Sequence, residues 1–120
     1  MRQLLLETPL DPTRRDHVEY KVPAVLADWM RQSGAAPSAT LMDTDGAIGR
    51  AFGARTTPHL YVLGPQGRVL YAGAIDDRPS ANPADVKRAT NLVNAALADT
   101  LAGRPVAVPA STAYGCSVKY

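Results

Sequence analysis

A chain of 120 residues, 46% hydrophobic and 20% charged, is long enough for one globular domain and too short for two well-packed ones. Its 13 basic and 11 acidic residues are interspersed and leave a net charge of +2; the nearest basic run, Arg14-Arg15, meets Asp16 at once, so the clustered cationic face of a nucleic-acid binder is missing. Leu4-Leu5-Leu6 is cut short by Glu7, too brief for the apolar run of a secretory signal, and no stretch approaches the ~18 apolar residues of a membrane helix. A soluble cytoplasmic protein with neither nucleic-acid nor membrane partners is expected.

Along the chain, residues 2–7 contain a short apolar run that reads as a buried strand, and residues 8–22 are a polar connector with Pro9 and Pro12. Pro23 suits the first position of a helix, where its missing N–H goes unused. Val25, Leu26, Trp29 and Met30 then share one helical face, and Gly34 and Pro37 end the element. Residues 39–42 read as a strand running into the turn Asp43-Thr44-Asp45-Gly46, with Asp45 as the expected N-cap. A short helix follows, predicted to bury Ile48, Ala51 and Phe52 before Gly53.

Two apolar runs, 59–63 and 68–75, flank Gly64-Pro65-Gln66-Gly67, a hairpin pattern whose strands are apolar or small at nearly every position and so are expected to be covered on both faces. Asn82-Pro83-Ala84-Asp85 opens a last helix, with Val86, Ala89, Val93, Ala96, Leu97 and Leu101 as its apolar stripe and Gly103 and Pro105 as its stop. Residues 104–120 have no sustained period and read as a tail laid over the surface. Strand, helix, strand, short helix, hairpin and covering helix make a mixed α/β arrangement.

Thr56-Thr57-Pro58-His59 stands directly before the first hairpin strand, where a proline is tolerated because it owes the ladder no donor. Together with Gly46-Ala-Ile-Gly-Arg-Ala-Phe-Gly-Ala-Arg-Thr-Thr-Pro-His-Leu-Tyr-Val-Leu63, Val69-Leu-Tyr-Ala-Gly-Ala-Ile-Asp-Asp-Arg-Pro-Ser80 and the closing Tyr114-Gly-Cys-Ser-Val-Lys-Tyr120, it resembles bacterial redoxins of the alkyl hydroperoxide reductase/thiol-specific antioxidant family, in the peroxiredoxin-like branch of thioredoxin-domain proteins.

The resemblance spans residues 16–120. It implies a partial thioredoxin-like domain over 16–103, a tail over 104–120 and a poorly matched segment over 1–15. It further implies a thiol–disulfide oxidoreductase or thiol peroxidase chemistry, a cis-proline at Pro58, and a substrate-facing loop at Thr57 and Pro58 that accepts an extended strand.

Family members carry, ahead of everything seen here, a strand and a helix whose N-terminus holds the reactive cysteine. Cys116 is the single cysteine of this sequence. No intrachain disulfide and no multi-cysteine zinc site follow, no metal or other cofactor is expected, and this chain alone is expected to be catalytically incomplete. The missing strand would leave the edge of 59–63 open, which implies a homodimer through that edge or poor solubility.

Cys116 reads either as a resolving thiol, served by an external thiol or a thioredoxin-type reductant, or as a small tail residue. Thr57-Pro58 is a docking loop or an ordinary strand start; His59 is a redox neighbour or a satisfied strand residue. Asp43-Thr-Asp-Gly46 lacks the further ligands of a calcium loop, and no phosphate-loop or nucleophile-elbow pattern occurs. Two rivals stand beside the redox reading: a noncatalytic peptide- or protein-binding module on the same scaffold, and a truncated product.

Overall fold

The computed structural model describes residues 4–7 and 23–120; the expected connector over 8–22 and most of the segment over 1–15 lie outside the described residues. The elements are β1 (Leu4–Glu7), α1 (Pro23–Ser33), β2 (Ala39–Met42), α2 (Ala47–Phe52), β3 (Thr56–Thr57), β4 (Leu60–Leu63), β5 (Val69–Gly73), α3 (Pro83–Val86), α4 (Leu92–Leu101) and β6 (Cys116–Ser117). This is a small mixed α/β protein. It divides into two units, one of Met1–Ala54 with Ser117–Tyr120 and one of Arg55–Cys116.

In the first unit β1 and β2 run parallel, Leu4 against Ala39 through Glu7 against Met42. Helix α1 begins at Pro23 as its sequence dictates. Trp29, expected on the buried face, is half-exposed. The turn before α2 differs from expectation in an instructive way. Asp45 does accept from the Ala47 N–H at 3.1 Å, yet the buried cap is Asp43, whose two carboxylate oxygens accept from the Ile48 N–H at 2.9 Å and the Gly49 N–H at 2.8 Å. At 2% exposure, Asp43 occupies the interior here, and these two free helix-start donors are what make a buried carboxylate tolerable. Asp43 ties the start of α2 to the interior through its backbone, so Gly49 is the buried residue of the helix while Ile48, Ala51 and Phe52, expected to be buried, are exposed.

The second unit is built on the β4–β5 hairpin. Leu60 pairs with Gly73, Tyr61 with Ala72 and Val62 with Tyr71, and the register then slips by one so that Leu63 meets Val69. The connector closes with Gly64 N–H to the Arg68 carbonyl at 2.8 Å and Gly67 N–H to the Gly64 carbonyl at 2.9 Å. Val62, Tyr71 and Ala96 form the buried centre, with Leu60, Leu70, Leu92, Val93, Leu97 and Val106 packed around them. Cover on both faces holds at the base of the hairpin and fails at its tip, where Leu63 and Val69 are exposed. On its outer edge β4 has no strand among the described residues.

The long last helix expected over 83–101 is two helices. Asn82 caps α3 through the Ala84 N–H at 3.0 Å, as its position suggests, but α3 is a single turn. The break comes at Thr90-Asn91-Leu92, which the chain spends on a second set of partners. Asp77 accepts from the Thr90 N–H at 2.9 Å, the Leu92 N–H donates to the Ile75 carbonyl at 2.9 Å, and Asn91 caps α4 through the Asn94 N–H at 2.8 Å. Asparagine is a better cap than a helix interior residue, which gives the break its local cause. Val86 and Leu101, assigned to one apolar stripe by the continuous reading, are exposed.

The tail after α4 is also more than a surface drape. The Ala72 N–H donates to the Pro109 carbonyl and the Ser111 N–H to the Ala72 carbonyl, both at 3.1 Å, so residues 109–111 seal the outer edge of β5. Beneath them lies a closed circuit: the Ala74 N–H donates to Ser111 Oγ at 3.0 Å, the Ser111 hydroxyl donates to Tyr71 Oη at 2.7 Å, and the Tyr71 hydroxyl donates to the Ala74 carbonyl. Each of the two hydroxyls gives one proton and accepts another, which satisfies polar atoms that would otherwise be costly inside.

Candidate functional site

Thr56 to His59 form a short bend between β3 and β4, tied at both ends. The Thr56 hydroxyl donates to the Pro58 carbonyl at 3.0 Å, and the Arg55 N–H donates to His59 Nδ1 at 3.3 Å. The Thr57–Pro58 peptide bond is cis. Thr57 and Pro58 are both exposed.

The tail lies against the bend. β3 is hydrogen-bonded to β6, whose Cys116 belongs to the same unit. Gly115, directly before it, passes so close to the bend that a Cβ in its place would stand 2.3 Å from the Thr57 carbonyl oxygen and 3.2 Å from Pro58 Cδ, and its φ of +143° is one that side chains rarely adopt. Only glycine permits both. The Cys116 thiol is free and exposed. The three residues singled out by sequence, Thr57, Pro58 and Cys116, are therefore neighbours. Gly115, which brings them together, was missed; the clue was a glycine immediately before the only cysteine.

His59, just before β4, stacks on Tyr61, two residues on, with ring centroids 4.6 Å apart and planes 20° apart. Partial burial, and then the positive charge of Arg55, push the imidazole pKa below its ordinary value of 6.5. The bond from the Arg55 N–H requires a lone pair on Nδ1, which assigns the proton of the neutral ring to Nε2. Protonating Nδ1 would break that bond. The unfolded chain takes up this proton more readily than the folded one. The stabilisation from neutral His59 is thus full above pH 6.5 and declines as pH falls through 6.5 toward the lower folded value. A proton NMR titration of His59 should give a midpoint below 6.5, and His59→Gln should remove this part of the acid sensitivity; a midpoint at or above 6.5 would contradict the assignment.

Elsewhere the charges are structural. Asp99 binds Arg104 at 2.9 Å and the Ala107 N–H at 3.1 Å; that N–H first, and Arg104 second, hold its carboxyl below the usual range. The Tyr114 hydroxyl donates to Asp76 at 2.7 Å, which raises its pKa and fixes the tail just before Gly115. In the first unit a depression of about 300 Å³ is lined by Ala27, Met30, Ala35, Pro37, Thr40 and Met42 among others, with its one charged residue, Arg31, paired to Asp28. No group of three or more His, Cys, Asp or Glu able to hold a metal ion occurs among the described residues, and no helix among them is long and apolar enough to cross a membrane.

Neither a family model nor a curated protein matches the sequence. Solved structures do match. An uncharacterized conserved protein from Geobacillus kaustophilus superimposes with a TM-score of 0.74 at 22% identity, over 98% of this chain and 58% of that one. A hypothetical protein from Sinorhizobium meliloti 1021 gives a TM-score of 0.73 at 23% identity, over 98% of this chain and 60% of that one. The chain thus spans about three fifths of the length of these structures, and it shares their fold.

Proposed function

We propose that the protein is a thioredoxin-like, peroxiredoxin-like redox protein in which Thr57-Pro58 and Cys116 act as one site: the loop docks an extended chain bearing oxidised sulfur, and Cys116 is the resolving thiol. The observation that carries this reading is the packing of Gly115 on the Thr57 carbonyl and Pro58 ring, which sets an exposed thiol beside the exposed Thr57-Pro58 loop. The resemblance of residues 46–63, 69–80 and 114–120 to redoxins supports the same assignment from the sequence side.

With one cysteine in the 120 residues, the sulfur first oxidised must come from another molecule or from a segment outside these residues. Cys116 loses its proton to solvent, and the thiolate attacks the partner sulfur. If the partner is a disulfide, a new S–S bond forms as the old one breaks and the departing thiolate takes up a proton; if it is a sulfenic acid, water leaves. An external thiol or a thioredoxin-type reductant then supplies the two electrons that free Cys116. Cys116 is not assigned the attack on peroxide, because the position three residues before it, where a peroxidatic site carries a hydroxyl, is Ala113.

The test uses the reduced chain and an extended cysteine peptide held as a mixed disulfide with thionitrobenzoate. Release of thionitrobenzoate should track a Cys116–peptide disulfide and vanish in C116S. In P58A, which removes the ring that Gly115 packs against, the rate should fall about ten-fold, an orientation loss of ~1.4 kcal/mol, while alkylation of Cys116 by iodoacetamide is unchanged. Equal rates for wild type and P58A would reject the loop's role. The rival noncatalytic binding module predicts peptide binding in both wild type and C116S with no transfer to Cys116.

A further inference from the structure

Cys116 stands between two fixed points of the second unit. One is the Thr57-Pro58 bend, against which Gly115 packs. The other is Asp76, just beyond β5. The Tyr114 hydroxyl donates to its Oδ1 at 2.7 Å, across 38 residues of sequence. Asp76 is itself held: the Arg78 N–H donates to the same oxygen at 2.9 Å, and its backbone bridges to Asn91, the residue that caps α4. The Leu92 N–H, bonded to the Ile75 carbonyl at 2.9 Å, ties the same junction from the neighbouring position. Asp76 is thus a fixed acceptor built from the end of the hairpin and the start of α4.

The bond is of a strong kind. A hydroxyl donating to a carboxylate is charge-assisted, stronger than a bond between neutral groups, and 2.7 Å lies within its usual range. Tyr114 and Asp76 are both half-buried, which lessens the competition from water. The rise in the Tyr114 pKa, caused first by this bond, reports the same interaction. Upstream, the tail is tied at Ser111 to Ala72. Downstream, Cys116 follows Tyr114 by two residues, at most about 7 Å of extended chain. A tether so short carries the placement of the ring over to the thiol.

We propose that Tyr114 and Asp76 are positioning residues for Cys116: their bond sets where the thiol stands at the Thr57-Pro58 loop, and so how fast it takes over a sulfur held on a chain docked there. This rests on the reading of Thr57-Pro58 and Cys116 as one redox site and names what aligns it. Neither residue touches the reacting atoms. The thiol is exposed, so a small disulfide reaches it however the tail is placed. A chain seated on the loop presents its sulfur at one place, and misplacing the thiol slows that reaction alone.

The experiment compares the full chain with Y114F, D76A and D76N in two reactions of Cys116. One is release of thionitrobenzoate from the peptide mixed disulfide; the other is release from dithiobis(nitrobenzoate), which carries no peptide. Y114F keeps the ring and loses the donor, so its peptide rate should fall about ten-fold with the small-disulfide rate unchanged. D76A should match Y114F, and the double variant should be no slower than either, because both remove one bond. D76N keeps an Oδ1 acceptor for the Tyr114 hydroxyl and should return the peptide rate to within about two-fold of wild type. Urea midpoints are measured alongside. A purely structural bond lowers stability in Y114F and D76A and leaves the peptide rate of the folded chain alone. That result, an equal fall with both substrates, or no recovery in D76N would overturn the proposal. Absence of peptide release by the wild-type chain sinks the redox reading and this assignment together; wild-type release that Y114F matches sinks this assignment alone.

Discussion

Tyr71→Ala is expected to lower the stability of the protein by about 3–5 kcal/mol, the range for deleting a fully buried aromatic ring. Tyr71 is fully buried at the centre of the second unit, against Val62 across the ladder and Ala96 of α4. Its loss opens a cavity there and also breaks the circuit through Ser111 and Ala74. Tyr71→Phe separates the two effects. The ring stays, and the Ala74 carbonyl and the Ser111 hydroxyl each lose a partner, for a cost of about 1–3 kcal/mol. Urea unfolding of the three proteins side by side checks this, and a Tyr71→Phe as damaging as Tyr71→Ala would show that the hydrogen-bond circuit outweighs the packing.

Gly73→Ala is the second large effect, with an expected loss of about 2 kcal/mol or more. The two causes act together. Gly73 has φ of +154°, and a Cβ there would stand 2.3 Å from Ser111 Oγ, 2.6 Å from the Ser111 carbonyl oxygen and 2.8 Å from the Ser111 nitrogen. The side-chain contact alone is relievable by a rotamer change, but the other two are with backbone. The tail must therefore lift from β5, and the bonds of Ala72 with Pro109 and Ser111 go with it. Thermal unfolding reads the loss. Hydrogen exchange should show the Ala72 and Ser111 amides unprotected in Gly73→Ala while the Val62 amide, deep in the hairpin, keeps most of its protection.

Both effects concern the tail, and the tail is where sequence reading was weakest. What depends on a few neighbouring residues was legible: Pro23 starting α1, the strand over 39–42, the hairpin turn at 64–67, and Asn82 as a cap. The signals that failed were of two kinds. Some were local but in competition: Asp43 and Asp45 both suit a cap, and only burial decides that Asp43 takes the two deep donors. Likewise the apolar residues from Val86 to Leu101 suit one helix, until Thr90 and Asn91 find partners at Asp77 and Asn94.

Others were not local at all. Nothing near Ser111 announces that its hydroxyl serves Tyr71, 40 residues earlier. Nor does anything near Gly115 announce that its missing side chain makes room for the Thr57 carbonyl. The candidate residues Thr57, Pro58 and Cys116 could each be chosen from sequence, but their proximity could not, because it depends on where an aperiodic tail comes to rest.

The account stands on that proximity. A nuclear Overhauser spectrum of the assigned protein tests it most directly, since one Gly115 Hα projects along the direction in which a Cβ would lie 3.2 Å from Pro58 Cδ. A strong cross-peak between a Gly115 Hα and the Pro58 Hδ protons is predicted. A well-dispersed spectrum with both residues assigned, no such cross-peak, and random-coil shifts over residues 115–117 would contradict it.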